Sequence, residues 1–375
     1  AFDMGGTSAD VCLVEKQTSI SSDGTIAGLP LPLPAVPVHT VAAGGGSIAY
    51  RDEGGALRVG PQSAGADPGP ACYGRGSEPT VTDAHVALGH LGADTLLEGA
   101  FPIDVGASVR AIERLGKQLG LKARATAEGI LTVADATMAR AILVITAERA
   151  IDPANIPLVA YGGAGGLHAA SLMLQLGMPK AVMPPHPGAF SALGLALAGE
   201  ATEVVEAVRV TVDDHQLADI MTLGDELMTR SQAMLENRSG RGRIEAMVRY
   251  RGQGACLRLP LTRRLAQTFR KEHQRRFGFV TDAAIEVVQL RARTECKASA
   301  LPPIAVAKPS RQDNQQRASR RPPLGGPSLP IFRRGSLSEH RICGPAIIEE
   351  ATATTLLPHG CAAEATPFGL VAYRR

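Results

Sequence analysis

The sequence predicts an α/β protein that carries an α+β unit and a small all-β C-terminal appendage. Three observations predict it. In residues 1–197, short apolar runs alternate with helical stretches, and two of those runs break into adjacent glycines. After residue 198 the rhythm changes to long alternating strands with an amphipathic helix between them. The last 45 residues, 331–375, are short β-like runs broken by proline and glycine.

Strands are expected at 11–14, 47–50, 157–161 and 181–183, each a short apolar run bounded by turn residues. Helices are expected at 105–119 and 126–150. In the second, Ile130, Val133, Ala134, Thr137, Ala141, Val144 and Ile145 recur at 3–4 spacing, and Pro153 follows its end. In region 198–296, ATEVVEAVRVTV alternates as a half-buried strand does. Asp213 or Asp214 is placed to cap a helix running to Met234. MVRYRG and ACLRLPL read as paired strands around the Gly252–Gly254 turn. A basic helix at 265–277 and the strand IEVVQLRART follow. Residues 297–330, rich in Pro, Arg, Gln and Ser without apolar period, read as a linker.

Composition narrows the function classes. At 375 residues with 45% hydrophobic content, the chain is large enough for two or three packed domains. Trp is absent and Tyr and Phe are few, so stacking platforms for single-stranded nucleic acid are not expected. The net charge of +3 balances 39 basic against 36 acidic residues and supplies no field for a polyanion. The basic residues cluster late, at 263–276 and 311–321; the first group sits at helical spacing and reads as a solvated helix face rather than a nucleic-acid face. Six cysteines with no CxxC spacing suit a reducing compartment, so a cytoplasmic location is the expectation. No apolar run of 18 residues lacks a charge, and no membrane span is expected. The chain opens inside a strand without Met, and a preceding segment is expected.

Four stretches can carry chemistry. The first is DMGGTSAD, Asp3 to Asp10. Gly5 and Gly6 permit a tight turn that brings N–H groups to an anion, Thr7 adds a hydroxyl, and the Asp3 carboxylate suits Mg²⁺ beside a phosphate. A plain β-hairpin with a glycine turn is the alternative. The second is LVAYGGAGGLHAA. Its strand, its glycines Gly162, Gly163 and Gly165 around Ala164, and a helix start make a turn of the type that receives nucleotide phosphates or sugar, or a purely structural one. The third, residues 59–91, is dense in glycine and proline, with Asp67, Arg75, Asp83 and His85 as polar candidates. Asp83 or Thr82 is also placed to cap the next helix. The fourth, MPPHPGAFSALGLALA, holds His186 between prolines after a strand, and His168 beside the second glycine turn is equally ambiguous. No HExxH, GxSxG or metal-spaced His/Cys cluster occurs.

Taken together these stretches resemble the hydantoinase A / 5-oxoprolinase / acetone carboxylase β-subunit family. The match runs in order through FDMGGTSADV, VGPQSAGADPGPACYGRGSEPTVTDA, AYGGAGGLHA and PPHPGAFSALGLALA, then RYRGQ at 249–253 and GPAIIEEATATT at 344–355. The resemblance implies one lobe of an actin-like, sugar-kinase-like ATPase fold. It implies that Asp3, Gly5, Gly6 and Thr7 form a phosphate hairpin, with Asp3 as catalytic residue and Mg²⁺ ligand, and that Gly162, Gly163, Ala164 and Gly165 form the adenosine turn. ATP and Mg²⁺ would be the cofactors. The implied activity is that of an ATP-dependent hydrolase phosphorylating the carbonyl oxygen of a cyclic amide, with a hydantoinase B-type partner subunit and a further N-terminal ATPase lobe outside this chain. The alternatives are an acetone-carboxylase-like β subunit that phosphorylates a ketone or bicarbonate, and a non-catalytic remnant lacking the first lobe. Gly166 stands where the family often carries proline, and ACLR at 255–258 departs from the family's usual aromatic or acidic residues.

Overall fold

The computed structural model describes residues 1–14, 24–26, 29–31, 35–94, 99–235, 240–296, 318–334 and 341–375. The chain divides into two units, Ala1–Leu193 with Ala305–Arg375, and Gly194–Ile304.

The first unit begins with a hairpin of β1 (Phe2–Met4) and β2 (Ala9–Val11), paired Phe2 to Val11, Asp3 to Asp10 and Met4 to Ala9. The strand expected at 11–14 therefore ends where it was expected to start, because the strand residues are the ones that alternate across the hairpin. A separate pair, β3 (Gly24–Ile26) and β4 (Leu29–Leu31), precedes β5 (His39–Val41), which adds to β2. The strands β6 (Ser47–Arg51) and β7 (Leu57–Ser63) form a second hairpin. Helices α1 (Val81–Ala87), α2 (Val105–Leu119) and α3 (Ala123–Glu148) pack on one another. Asp104 caps α2 by accepting from Ala107 N–H, and Gly120 at φ +69° closes it, which is why its limits are so legible. Among the described residues α3 alone is long and apolar enough to cross a membrane. Its Ile130, Ala134, Met138, Ala141 and Ile145 are buried in the core of this unit.

The strand β8 (Leu158–Tyr161) then runs into α4 (Gly165–Gln175), followed by β9 (Ala181–Met183) and α5 (Phe190–Leu197). Strands β1, β8 and β9 lie parallel in the middle of the main sheet. Phe2, Met4, Leu158, Ala160, Ala181 and Met183 are fully or almost fully buried and alternate with half-buried Asp3, Val159, Tyr161 and Val182, so one face of these strands carries the core.

The second unit holds the four-stranded antiparallel sheet β10-β13-β11-β12 and two helices. These are β10 (Ala201–Thr211), α6 (Asp214–Ala233), β11 (Gly240–Tyr250), β12 (Leu257–Pro260), α7 (Leu265–Phe277) and β13 (Ile285–Cys296). Asp213, not Asp214, caps α6, accepting from Gln216 N–H. The core is Val248, Tyr250, Leu259, Phe269, Val287 and Leu290. Where ACLR departs from the family pattern, Leu257 is buried and Arg258 pairs with Glu245. The basic residues Arg263, Arg264, Arg270, Lys271, Arg275 and Arg276 are all exposed, and Arg275 pairs with Glu272 on the surface of α7.

The C-terminal residues return to the first unit. The sheet order β14-β15-β17-β18 comprises β14 (Ala318–Arg320), β15 (Leu329–Arg333), β17 (Ala346–Glu350) and β18 (Ala353–Leu357). The remaining strands, β16 (Ile342–Cys343), β19 (Cys361–Thr366) and β20 (Gly369–Arg374), complete an eight-stranded sheet of order β16-β19-β20-β9-β8-β1-β2-β5. The tail is all β, as its sequence suggests, but it is built into the main sheet through β20 on β9 rather than standing apart. Of the expected linker 297–330, residues 297–317, with Arg311 and Arg317, lie outside the described residues. The remainder is not linker, because Ala318–Arg320 and Leu329–Arg333 are paired strands.

Candidate active site

A cavity of about 430 Å³ opens in the first unit where the β1–β2 turn meets the β8–α4 turn. Of the sequence-predicted residues, Gly5, Gly6, Gly163 and Ala164 line it together. Asp3, Thr7, Gly162 and Gly165 sit beside the lining, on the same two turns.

The hairpin turn shows what its backbone leaves free. Gly5 N–H closes the turn on Ser8 O at 3.2 Å. Among the described residues no protein acceptor takes the N–H groups of Gly6, Thr7 or Ser8. A Cβ added at Gly5 or Gly6 would meet nothing within 4 Å, so the turn faces open space. Successive N–H groups without a protein acceptor are the kind of donors an anion takes. The structure shows the β-hairpin of the plain alternative, with these donors left over.

The second turn is locked to the first. Ala164 N–H donates to Met4 O at 3.1 Å and Gly162 N–H to Pro187 O at 2.9 Å. Gly162 has φ +83°, and a Cβ there would lie 2.3 Å from Met4 O and 2.5 Å from Asp3 Oδ1. Only glycine fits that approach. Gly163, whose Cβ would come no nearer than 3.8 Å to Thr352 O, is glycine for room in the cavity rather than for packing. At Gly166 a Cβ would sit 2.7 Å from Thr354 O, so β18 leaves no room there for a side chain.

Sequence reading missed the third glycine run, Gly44–Gly46. Gly45 N–H donates to Gly5 O at 3.0 Å and Gly46 N–H to Gly6 O at 2.6 Å. A Cβ at Gly44 would stand 2.5 Å from the Thr7 carbonyl carbon. This run backs the β1–β2 turn, and the signal for it was three consecutive glycines ahead of a strand. The β17–β18 turn was also missed as a site element. Its residues Ala351, Thr352, Ala353 and Thr354 line the cavity.

Asp3 and Asp10 are register partners on the hairpin, so their side chains share a face. Asp3 Oδ2 accepts from Ser191 Oγ at 2.7 Å and Asp10 Oδ1 from Thr40 Oγ1 at 2.6 Å. Two adjacent carboxylates, each with one oxygen tied down, repel one another, and a divalent cation relieves that repulsion. Burial, and then the Asp3 charge, push the nearby Tyr161 phenol above its usual value.

The third motif builds the far wall. Asp83 is neither a site base nor the N-cap. Thr80 caps α1, with Asp83 as the reciprocal partner three residues into the helix. The buried Asp83 carboxylate accepts from Cys72 N–H and Ser108 Oγ on one oxygen, at 2.9 and 2.6 Å. It accepts from Ala71 N–H, Thr80 N–H and Thr80 Oγ1 on the other, at 3.0, 3.0 and 2.7 Å. Those bonds fix the turn Ala71–Tyr73 and bring Tyr73 to the cavity, edge to face with Phe101 at 4.9 Å and 75°. Thr82 lines the cavity and donates its hydroxyl to Gly45 O at 2.8 Å.

Other candidates are elsewhere. Arg75 pairs with Asp67 at 3.4 Å on the open surface. His186, exposed and at φ +52°, is the turn residue before Pro187. His168 is buried, with Nδ1 2.6 Å from Asp135 Oδ1 and Nε2 3.2 Å from His85 Nε2. His85 Nδ1 is 2.9 Å from His90 Nδ1, and Ser171 Oγ donates to Asp135 Oδ2 at 2.6 Å. All three rings are satisfied as neutral imidazoles if each donates toward Asp135. Burial, then the His168 and His90 rings, lower the His85 pKa well below its usual value. Burial, then His168, Arg124 and Arg320, bring His90 down to about 4.

Comparison with known proteins accords with this geometry. The hydantoinase/oxoprolinase family profile matches residues 1–204. The chain is 32% identical to the caprolactamase subunit alpha of Pseudomonas jessenii over 96% of its own length and 55% of the relative's. An acetone carboxylase structure superimposes on the whole chain with a TM-score of 0.86 at 24% identity, covering 57% of that protein. The ATP-dependent caprolactamase structure from Pseudomonas jessenii does so with a TM-score of 0.74 at 28% identity, covering 58%. The chain thus shares the mixed α/β ATPase-type fold and spans rather more than half the length of these proteins. It belongs to the hydantoinase/oxoprolinase family.

Proposed function

We propose that this chain is the nucleotide-binding portion of an ATP-dependent enzyme that activates a cyclic amide for hydrolysis. The observation that carries the reading is the β1–β2 turn, where the N–H groups of Gly6, Thr7 and Ser8 have no protein acceptor among the described residues and Gly5 and Gly6 line a cavity that Gly163 and Ala164 also line. The phosphates of ATP fit the first element, and the adenosine side fits the second, at the start of α4. Asp3, with Asp10 beside it, would hold Mg²⁺ through one or two carboxylate oxygens, leaving the remaining positions to water and phosphate.

A lactam resists water because its amide is resonance-stabilised. ATP supplies a phosphoryl group to the carbonyl oxygen, which makes the carbon electrophilic and the oxygen a leaving group. In this chain, Gly6–Ser8 would orient the triphosphate, Gly44–Gly46 back that turn, and Asp3 would hold a cation that offsets the phosphate charge. Preorganised backbone donors of this kind are worth about 3 kcal/mol each in barrier height when aimed at developing charge. Water addition falls to a partner subunit of hydantoinase B type, a reading supported by the relative's being a subunit alpha.

The test is ATP hydrolysis by the complete assembly with and without a lactam. Asp3→Asn is expected to lower lactam-stimulated turnover about a hundredfold or more, within the range for loss of a group that stabilises transition-state charge. Near-normal turnover removes Asp3 from the mechanism. The acetone carboxylase superposition favours a second reading, phosphorylation of a ketone or bicarbonate. Stimulation by acetone with bicarbonate, and not by lactams, would select it.

A further inference from the structure

The cavity has two chemically different ends. At the turn end the donors are backbone. At the other, Tyr73, Leu91, Phe101 and Leu167 form an apolar wall. No Lys, Arg, His, Asp or Glu side chain lines the cavity among the described residues. Tyr73 Oη has no protein hydrogen-bond partner among them either, and burial, followed by the neighbouring Cys72 and Asp83, holds the phenol protonated well past neutrality. Tyr73 is not loosely placed, because Asp83 fixes the turn that carries it.

Such a wall accepts a flat, largely hydrocarbon ring with one oxygen able to receive a hydrogen bond. It does not accept an ionised ring. A carboxylate brought against it would shed water without meeting a counter-charge, which costs several kcal/mol or forces protonation. We propose that the apolar end is the substrate subsite and selects an uncharged cyclic amide over the same ring bearing a carboxylate. Phe101 and Leu91 contact the ring, and Tyr73 donates to its carbonyl oxygen. This inference rests on the cyclic-amide reading above and deepens it. It makes Tyr73 and Phe101 specificity determinants of the site.

The matched probes are 2-pyrrolidone and 2-pyrrolidone-5-carboxylate, which differ only in the charged group. Binding of each to the complete assembly is read by saturation-transfer NMR, which needs no turnover, and lactam-stimulated ATP hydrolysis is read in parallel. The neutral ring is expected to bind at least about tenfold more tightly, the discrimination set by one unpaired buried charge at the low end. Tyr73→Phe should raise the KM for 2-pyrrolidone about tenfold, as for a lost hydrogen bond in a closed site, and shift the ATP KM much less. Phe101→Arg, at a half-exposed position that tolerates a long side chain, should move the preference toward the carboxylate. Equal or tighter binding of the carboxylated ring, binding of neither ring, or a preference unmoved by Phe101→Arg in a protein that melts normally, overturns the inference. Lactam-stimulated ATP hydrolysis with both variants unchanged overturns it alone and leaves the cyclic-amide activity standing. Selective binding of the neutral ring without any stimulated hydrolysis does the reverse.

Discussion

Replacing Asp83 by asparagine is the sharpest test of how the site wall is held. The carboxylate accepts three backbone N–H groups and two hydroxyls. An amide keeps one oxygen. If its nitrogen takes the place of the oxygen facing Cys72 N–H and Ser108 Oγ, the hydroxyl can reverse and accept, but Cys72 N–H is left facing a donor. That loss costs about 1.5–3 kcal/mol, the range for a hydrogen bond to a charged group. The three bonds on the other oxygen survive as neutral ones, each weaker by up to about 1 kcal/mol. The opposite orientation is worse, because it orphans Ala71 N–H and Thr80 N–H together. The expected destabilisation is therefore about 3–5 kcal/mol, discounting full additivity. Urea unfolding followed by far-UV circular dichroism measures it. A loss below about 1 kcal/mol would refute the claim that Asp83 organises the loop, since a surface substitution costs no more.

Gly162→Ala should cost about 2–4 kcal/mol, from the left-handed backbone and the contact with Met4 O. Gly163→Ala should fall within about 0.5 kcal/mol, and comparing the two denaturation midpoints checks the contrast. The depressed His90 pKa makes stability depend on pH in a set direction. The folded state binds fewer protons than the unfolded, so this contribution is intact above pH 6.5 and is lost as pH falls from there to about 4. It amounts to about 3 kcal/mol at most, and His90→Gln should flatten the stability profile in that window.

Much of the fold was legible where local chemistry decides it. The helix at 105–119 carries both its cap and its stop, and the helix at 265–277 ends on Gly278 at φ +82°. Local pattern could not reveal that β20 would pair with β9, because that pairing joins residues nearly two hundred positions apart and leaves no period in either strand. The β1–β2 turn and the β8–α4 turn were readable because each shows in the sequence as adjacent glycines directly after an apolar run. Their neighbour Gly44–Gly46 was not, since its purpose is a backbone approach to Gly5–Thr7 that only the folded chain shows. The same holds for His85 and His168, separate candidates in the sequence that the structure joins, with His90, in one hydrogen-bonded row. Asp83 was misassigned as cap because a carboxylate at a helix start usually is one. Here Thr80 is the cap, and Asp83 is its reciprocal partner, with its remaining bonds to Ala71, Cys72 and Ser108.

The central claim is that the β1–β2 turn grips the phosphates of ATP. The most direct measurement is a crystal structure of the complete assembly with a non-hydrolysable ATP analogue and Mg²⁺. The account predicts phosphate oxygens within about 3 Å of the Gly6, Thr7 and Ser8 nitrogens, the usual N–H···O range, and the metal on the Asp3 side of the hairpin. A nucleotide bound with its phosphates away from these three residues would contradict it.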